Sequence, residues 1–150
     1  MSQIIVLDTG PLGLVTHARA NEQTLAATQW LMRHLGSGTE VAVPEICDYE
    51  LRRELLRIGS LKSLRRLDEL VGAVRYLPLT TVAMRRAAEL WARLRREGTP
   101  TAPKEALDGD VILCALAQLH SEQTRQELVV ATTNVAHLQR MVASKLWSEI

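Results

Sequence analysis

An aspartate directly follows the first apolar segment of the chain. Residues 4–7 are four consecutive aliphatic residues, and Asp8, Thr9, Gly10 and Pro11 come next. An apolar run without alternation predicts a strand that is buried on both faces, and the glycine and proline predict a turn into a helix. Open α/β sheets place their chemistry at the carboxyl ends of such strands. Asp8 is therefore either a candidate functional acid or the cap of the next helix.

A second candidate acid lies in the helix predicted after the second strand. On a helical wheel Glu50 falls near Ile46, and Glu54 falls near Cys47, so both carboxylates border the apolar stripe. An ordinary solvated glutamate that pairs with a neighbouring arginine would fit the same pattern. We take Glu50 as the candidate and keep Glu54 as its alternative.

Two aspartates stand at the predicted start of the most apolar helix. Asp108 and Asp110 would both interact favourably with a helix N-terminus, but one cap needs only one acid. A second carboxylate on a helix that is apolar almost all round must be solvated, paired or metal-bound. We favour Asp110, and leave Asp108 open, because the apolar run begins directly after Asp110.

An asparagine follows the last apolar strand in the way that Asp8 follows the first. Asn134 comes after the apolar residues 128–131 and two threonines, Thr132 and Thr133. The carboxyl ends of parallel strands meet at one edge of a sheet, so we expect Asn134 and Asp8 to reach the same edge. A cap or turn role would also explain Asn134.

Strands alternate with helices along the chain, which predicts a single domain over residues 1–150. Predicted strands cover residues 4–7, 41–43, 74–79 and 128–131, with a further strand near Trp147. Predicted helices cover residues 11–18, 22–35, 45–58, 61–71, 81–96 and 110–120, with Asn21, Ser60 and Thr80 or Thr81 as caps and a short helix after Asn134; residues 99–103 form a loop. This alternation predicts a three-layer α/β/α sandwich around a central parallel sheet of about four to five strands.

The composition narrows the class of protein. Basic and acidic residues number 18 and 17, for a net charge of +1, so any nucleic acid must be met by a local basic patch. The first apolar run is too short for a secretion signal, and no run reaches the length of a membrane span. Cys47 and Cys114 are isolated and predicted to be buried thiols, and the four histidines lack zinc-ligand spacing. We expect a cytoplasmic protein.

Two groups of basic residues could form stripes that contact phosphates, although a solvated helix face would look the same. The first has six members over 15 positions, with Glu54 as the only acid among them. Aromatic residues make up only 3% of the chain, which argues against base stacking as the main source of affinity. The members are Arg52, Arg53, Arg57, Lys62, Arg65 and Arg66, and then Arg85, Arg86, Arg93, Arg95 and Arg96.

These segments together resemble the PIN domain family, most closely its single-domain bacterial members such as the VapC-type ribonuclease toxins. The resemblance rests on the strand that ends in Asp8 and Thr9, on Glu50, on residues 110–117 and on residues 131–138, in that order. It covers nearly the whole chain, from residue 4 to about residue 147. It implies a parallel sheet between helices, with an acidic cluster at the strand ends that holds Mg²⁺ or Mn²⁺.

Carried over by motif, the resemblance implies that Asp8, Glu50 and Asp110 are catalytic and bind the metal. Asn134 falls at a fourth catalytic position, where many members have an acid and others have asparagine. The missing charge would weaken the binding of a second metal more than that of the first, while the amide oxygen could still orient water or bind a hard cation. Thr9 and Thr132 would support the acids with hydrogen bonds from their hydroxyl groups.

The implied function is a metal-dependent ribonuclease, the toxin of a toxin–antitoxin pair. The resemblance also implies an RNA substrate, a homodimer, and a small antitoxin with a segment that covers the acidic cleft. A catalytically weak fold that binds RNA or protein is the alternative, and Asn134 favours it. A haloacid-dehalogenase-like phosphatase ranks third, because that chemistry needs an aspartate where this chain has Gly10.

Overall fold

The computed structural model describes residues 2–98 and 104–150, and only the backbone of residues 104–106. Within these ranges five strands form one sheet in which all neighbours run parallel, in the order β3-β2-β1-β4-β5. The predicted parallel sheet is therefore confirmed. The strands are β1 (Gln3–Leu7), β2 (Glu40–Pro44), β3 (Arg75–Leu77), β4 (Glu127–Thr132) and β5 (Ser144–Leu146).

Helices connect the strands and cover the sheet, as the alternating pattern predicted. A 3₁₀ turn at Trp147–Glu149 follows β5. No helix in the described ranges is both long enough and apolar enough to cross a lipid bilayer. The helices are α1 (Thr9–Thr16), α2 (Glu22–Gly36), α3 (Glu45–Ile58), α4 (Leu61–Ala73), α5 (Thr81–Arg96), α6 (Lys104–Thr124) and α7 (Val135–Leu138).

The core is aliphatic and centres on β1. Residues 4–7 are completely buried, because β1 lies in the middle of the sheet between β2 and β4. Trp30 of α2 is the one buried indole in the described core, and its ring packs edge-on against Trp147. Cys47 and Cys114 are free and buried, which confirms the prediction of two buried thiols.

The predicted start of α6 is wrong. The helix begins at Lys104, six residues before the predicted start at Asp110, so Asp108 and Asp110 lie within it and do not cap it. The prediction followed the apolar run, which begins only at Val111, whereas residues 104–107 continue the helix through good helix formers. The predicted loop over residues 99–103 lies outside the described residues.

Smaller differences concern the ends of other elements. The strand β3 covers only Arg75–Leu77, because Pro78 has no N–H group to extend the ladder. The side chain of Ser60 makes no capping hydrogen bond at the start of α4, contrary to prediction. Asn21 and Thr80 cap α2 and α5 as predicted, through bonds of 2.9 and 3.0 Å to backbone N–H groups.

Candidate active site

Asp8 is held at the carboxyl end of β1 by two hydrogen bonds. The backbone N–H of Thr9 donates to its Oδ1 at 2.8 Å, which caps α1. The hydroxyl of Thr132, a fully buried residue at the end of β4, donates to its Oδ2 at 2.7 Å. Since β1 and β4 are neighbours, their pairing fixes the carboxylate. Asp8 is therefore the cap of α1, and it also lies among the other candidate acids.

Glu50 reaches the same edge of the sheet because α3 begins directly where β2 ends, at Pro44. The hydroxyl of Thr9 donates to Oε1 of Glu50 at 3.1 Å. From the other side, the backbone of Gly109 in α6 lies so close that a Cβ atom there would be 2.9 Å from Oε2. The alternative acid, Glu54, is exposed and pairs with Arg57 on the outer face of α3.

Asp110 faces Asp8 and Glu50 from α6. Burial, together with the negative charges of Asp8 and Glu50, raises the pKa of Asp110 to about 7. Burial also raises the pKa of Glu50, and the charge of Asp8 adds to that effect. A hydrogen bond from Thr9 and the positive charge of Arg53 act on Glu50 in the opposite direction. The structure therefore brings the three predicted acids into one electrostatically coupled group.

One oxygen of Asp110 has an unusual environment. Its Oδ2 is buried and accepts no hydrogen bond within the described part of the chain. The ring of His137 lies beside it, with Nδ1 3.6 Å from Oδ2. The amide nitrogen of Asn134 lies 2.9 Å from the other ring nitrogen, Nε2. Asn134 therefore contacts His137, and His137 faces Asp110.

His137 was not predicted to be a site residue, because its spacing from the other histidines and the cysteines does not fit a zinc site. The available signal was its spacing from Asn134. Residues three apart on a helix share a face, and α7 begins directly after Asn134. The contact with Asp110 joins α7 to α6 and could not be inferred from local spacing.

Other polar candidates lie elsewhere or have partners already. Asp108 is exposed and lines a surface groove between α5 and α6 with Met84 and Trp91. Several arginines of the predicted basic stripes are bound within the protein: Arg52 to Asp48 and Asp68, Arg57 to Glu54, and Arg86 to Glu122. The stripes are therefore less available to a polyanion than their sequence indicates.

The donor chemistry of the acidic group fits a hard divalent cation. Carboxylate oxygens are the ligands that Mg²⁺ prefers, and a cation would offset the burial and the repulsion that together raise the pKa of Asp110. The Oδ2 atom of Asp110 is buried without a donor and is suited to that role. Among the described residues, no three His, Cys, Asp or Glu side chains are close enough as they stand to enclose an ion. The three acids therefore form an open group that does not yet surround an ion.

The two buried cysteines lie beneath the acids but are not suited to bind a metal. The Sγ atom of Cys47 is 3.9 Å from Oδ1 of Asp8, and Cys114 follows Asp110 by one helical turn. Burial, and then the neighbouring carboxylates, raise the pKa of both thiols. Both therefore stay protonated at neutral pH, whereas metal binding requires the thiolate.

The family model of the PIN domain matches residues 5–136, a range that contains all three acids and Asn134. The chain belongs to the PIN domain family. No curated protein matches its sequence. Solved structures show the same PIN fold, and each of the following three is similar to nearly the whole chain.

The first is VapBC2 from Rickettsia felis bound to a DNA fragment from their promoter, with a TM-score of 0.71 and 14% identity over 96% of this chain and 98% of that chain. The second is DNA-bound VapBC from Salmonella typhimurium, with a TM-score of 0.67 and 20% identity over 98% and 99%. The third is VapBC-1 from nontypeable Haemophilus influenzae, with a TM-score of 0.65 and 18% identity over 97% and 98%. At these identities the likeness shows the fold.

Proposed function

We propose that this PIN protein is a divalent-metal-dependent ribonuclease whose reaction centre is formed by Asp8, Glu50 and Asp110. The observation that carries the proposal is the convergence of these acids, from three distant segments, on the carboxyl edge of the sheet. Burial, together with repulsion from Asp8 and Glu50, raises the pKa of Asp110 to about 7, which is a cost to the folded protein unless a cation binds there. Phosphodiester hydrolysis is a reaction that such a cation can promote, because it neutralises the phosphate and activates water.

Each residue has a definite task in this proposal. Asp8, Glu50 and Asp110 would hold Mg²⁺ or Mn²⁺, which when bound neutralises the phosphate and activates water for attack. The hydroxyls of Thr132 and Thr9 fix the first two carboxylates by hydrogen bonds of 2.7 and 3.1 Å. The two remaining polar residues, Asn134 and His137, orient Asp110 from the opposite side.

Fold similarity to VapBC complexes supports a more specific role as the toxin of a toxin–antitoxin pair. In that role the protein is a homodimer in the cytoplasm, and a small antitoxin covers the acidic cleft. Analytical ultracentrifugation of the purified chain tests the dimer. Co-purification of a small protein from the source cells, followed by loss of RNA cleavage on its addition, tests the antitoxin.

The ribonuclease proposal is tested by cleavage of single-stranded RNA of mixed sequence in Mg²⁺, Mn²⁺ or EDTA. We expect metal-dependent cleavage that Asp8→Asn and Asp110→Asn both abolish. Asp68→Asn is the matched control, because Asp68 is an exposed aspartate that pairs with Arg52 away from the acids. Equal cleavage by the wild-type protein and both variants would mean that the acids are not the reaction centre.

A catalytically weak PIN fold that binds RNA or protein is the second candidate. It is favoured by Asn134, which has no charge and bonds to His137 where many family members have an acid. Calorimetric titration with Mn²⁺ separates the two, because a binding module has no need of the ion. Binding of Mn²⁺ that is lost in Asp110→Asn supports the nuclease, and absence of binding supports the module.

A further inference from the structure

Tyr49 is an exposed aromatic residue that comes directly before Glu50 in the sequence. The chain has only three tryptophans and two tyrosines, and all five lie in the described ranges. Tyr49 is 54% exposed, the highest value among the five, and immediately precedes Glu50 in α3. Within the described residues its hydroxyl makes no hydrogen bond, whereas that of Tyr76 donates to Asp48 at 2.7 Å. The side chain of Tyr49 is therefore open to solvent, and its hydroxyl is free to bind a ligand.

Arg53 lies one helical turn after Tyr49, with its guanidinium carbon 5.1 Å from the centre of the tyrosine ring. It also lies near Glu50, since its positive charge lowers the pKa of that carboxyl group. The neighbouring arginines of α3, Arg52 and Arg57, are bound to carboxylates. Among the described residues Arg53 has no such ion pair, so its guanidinium can bind a phosphate.

We propose that Tyr49 and Arg53 form a nucleotide-binding subsite, in which Tyr49 stacks on an unpaired base and Arg53 binds a backbone phosphate beside the cleaved bond. This inference rests on the proposed ribonuclease function and extends it to substrate class. A base can stack on a protein ring when it is not stacked and paired within an RNA duplex. The subsite therefore selects single-stranded RNA. One exposed ring suffices for one base, even in a chain that is poor in aromatics.

The first experiment measures kcat and KM on single-stranded RNA for the wild type and for variants at Tyr49. For Tyr49→Ala we expect KM to rise roughly 10-fold, with little change in kcat, because stacking contributes to substrate binding. Tyr49→Phe keeps the ring and should retain most of the affinity. Trp91→Ala is the matched control: Trp91 is 37% exposed on α5 and also lies beneath a guanidinium, that of Arg95 at 5.5 Å.

The second experiment needs no cleavage. It measures the binding of labelled single-stranded and duplex RNA by fluorescence anisotropy in EDTA, over a range of salt concentrations. We expect Tyr49→Ala to weaken the binding of single-stranded RNA but not of duplex RNA. Loss of one phosphate contact in Arg53→Ala should reduce the slope of log Kd against log salt by about 0.7. Arg33→Ala, on α2, is the control for loss of charge.

The outcomes separate this inference from the function on which it rests. A wild-type protein that binds RNA through Tyr49 but never cleaves it would contradict the proposed ribonuclease function and support the proposed subsite. If Tyr49→Ala cleaved RNA with unchanged KM and Kd, the proposed ribonuclease function would stand, while the proposed subsite would be overturned. Equal losses in Tyr49→Ala, Tyr49→Phe and Trp91→Ala would also overturn it, as would an effect of Tyr49→Ala on protein assembly alone.

Discussion

Gly109 lies against the carboxylate of Glu50, so close that a Cβ atom at this position would be 2.9 Å from Oε2 and 3.2 Å from Cδ. This contact is where α6, which carries Asp110, meets α3. A methyl group could be accommodated only if the carboxylate moved, because a distance below 3.0 Å is not tolerated. The carboxylate is the end of a flexible side chain and can move away without disturbing the backbone.

Gly109→Ala should therefore separate stability from activity. Replacing a helical glycine by alanine stabilises a helix by roughly 0.5–1 kcal/mol, so we expect an equal or higher Tm. We also expect RNA cleavage to fall at least 10-fold, because Glu50 is displaced from Thr9 and a catalytic group 1 Å out of place costs about 100-fold. Thermal unfolding and cleavage assays on the same preparation measure both effects.

The matched control is Gly72→Ala in α4, where a Cβ atom would have no neighbour within 4 Å. This variant should gain the same helix stability and cleave RNA at the wild-type rate. Full activity in Gly109→Ala would show that the position of Glu50 is not critical.

The raised pKa of Asp110 predicts how stability depends on pH in the absence of metal. The folded protein keeps this proton up to about pH 7, whereas the unfolded chain loses it near pH 4. Between these values the folded state binds more protons, so the free energy of unfolding falls as the pH rises. The slope from this group is at most roughly 1.4 kcal/mol per pH unit. Chemical denaturation in EDTA from pH 4 to pH 8 measures it.

Asp110→Asn should flatten this profile and be more stable than the wild type at pH 8. A shallow slope should remain, because the pKa of Glu50 is raised in the same direction. Asp68→Asn should keep the wild-type profile. A wild-type protein whose stability increases from pH 4 to pH 8 would contradict the electrostatic coupling of the acids.

His137 should matter for metal affinity although it is not one of the proposed ligands. The Asn134 amide donates to Nε2, so a neutral ring carries its proton on Nδ1, directed at Oδ2 of Asp110 at a distance of 3.6 Å. Removal of a group that orients a metal ligand typically costs about 10- to 100-fold in affinity or activity. We expect His137→Ala to weaken Mn²⁺ binding, measured by calorimetry, by about 10-fold.

Asn134→Ala should also weaken Mn²⁺ binding, but less. The His137 ring then loses its hydrogen bond with Asn134 but keeps its position on α7. His17→Ala, which removes an exposed histidine after α1, is the control. If His137→Ala bound Mn²⁺ as tightly as the wild type, His137 would have no part in orienting a metal ligand.

Thr132 is expected to contribute to both stability and activity. Its hydroxyl donates to Asp8 at 2.7 Å and accepts from the backbone N–H of Asn134 at 3.0 Å. Thr132→Val leaves a partly buried carboxylate oxygen and an N–H group without this partner, at a cost of about 1–3 kcal/mol. Thr132→Ser keeps the hydroxyl and should restore much of both properties. Urea denaturation and RNA cleavage test this, with the exposed Thr28→Val as the control.

The parts of the structure that the sequence predicted are those encoded within one segment. The apolar runs of β1 and β4 locate the sheet. Asp8 was predicted from its position at the end of β1, and Glu50 from its position beside the apolar stripe of α3. The start of α6 was missed because helix formers without apolar periodicity precede Val111. Local patterns carry no information about such a boundary.

Long-range contacts account for the rest. The pairing of Arg86 with Glu122 joins residues 36 positions apart, and the contact of His137 with Asp110 joins two helices. Which arginine is free and which histidine faces an acid depends on how the helices pack. Spacing within a single segment therefore could not show that Arg53 has no ion pair among the described residues or that His137 faces Asp110.

The hydrogen bond between Thr132 and Asp8 spans 124 residues of sequence, and β4 pairs with the central strand β1. Contacts of such long range form late in folding, because a long loop must close before they stabilise anything. During translation the N-terminal part of the chain leaves the ribosome first, with Asp8, Glu50 and then Asp110 already in it. Asp8 cannot receive its hydrogen bond from Thr132 until β4 has also been synthesised.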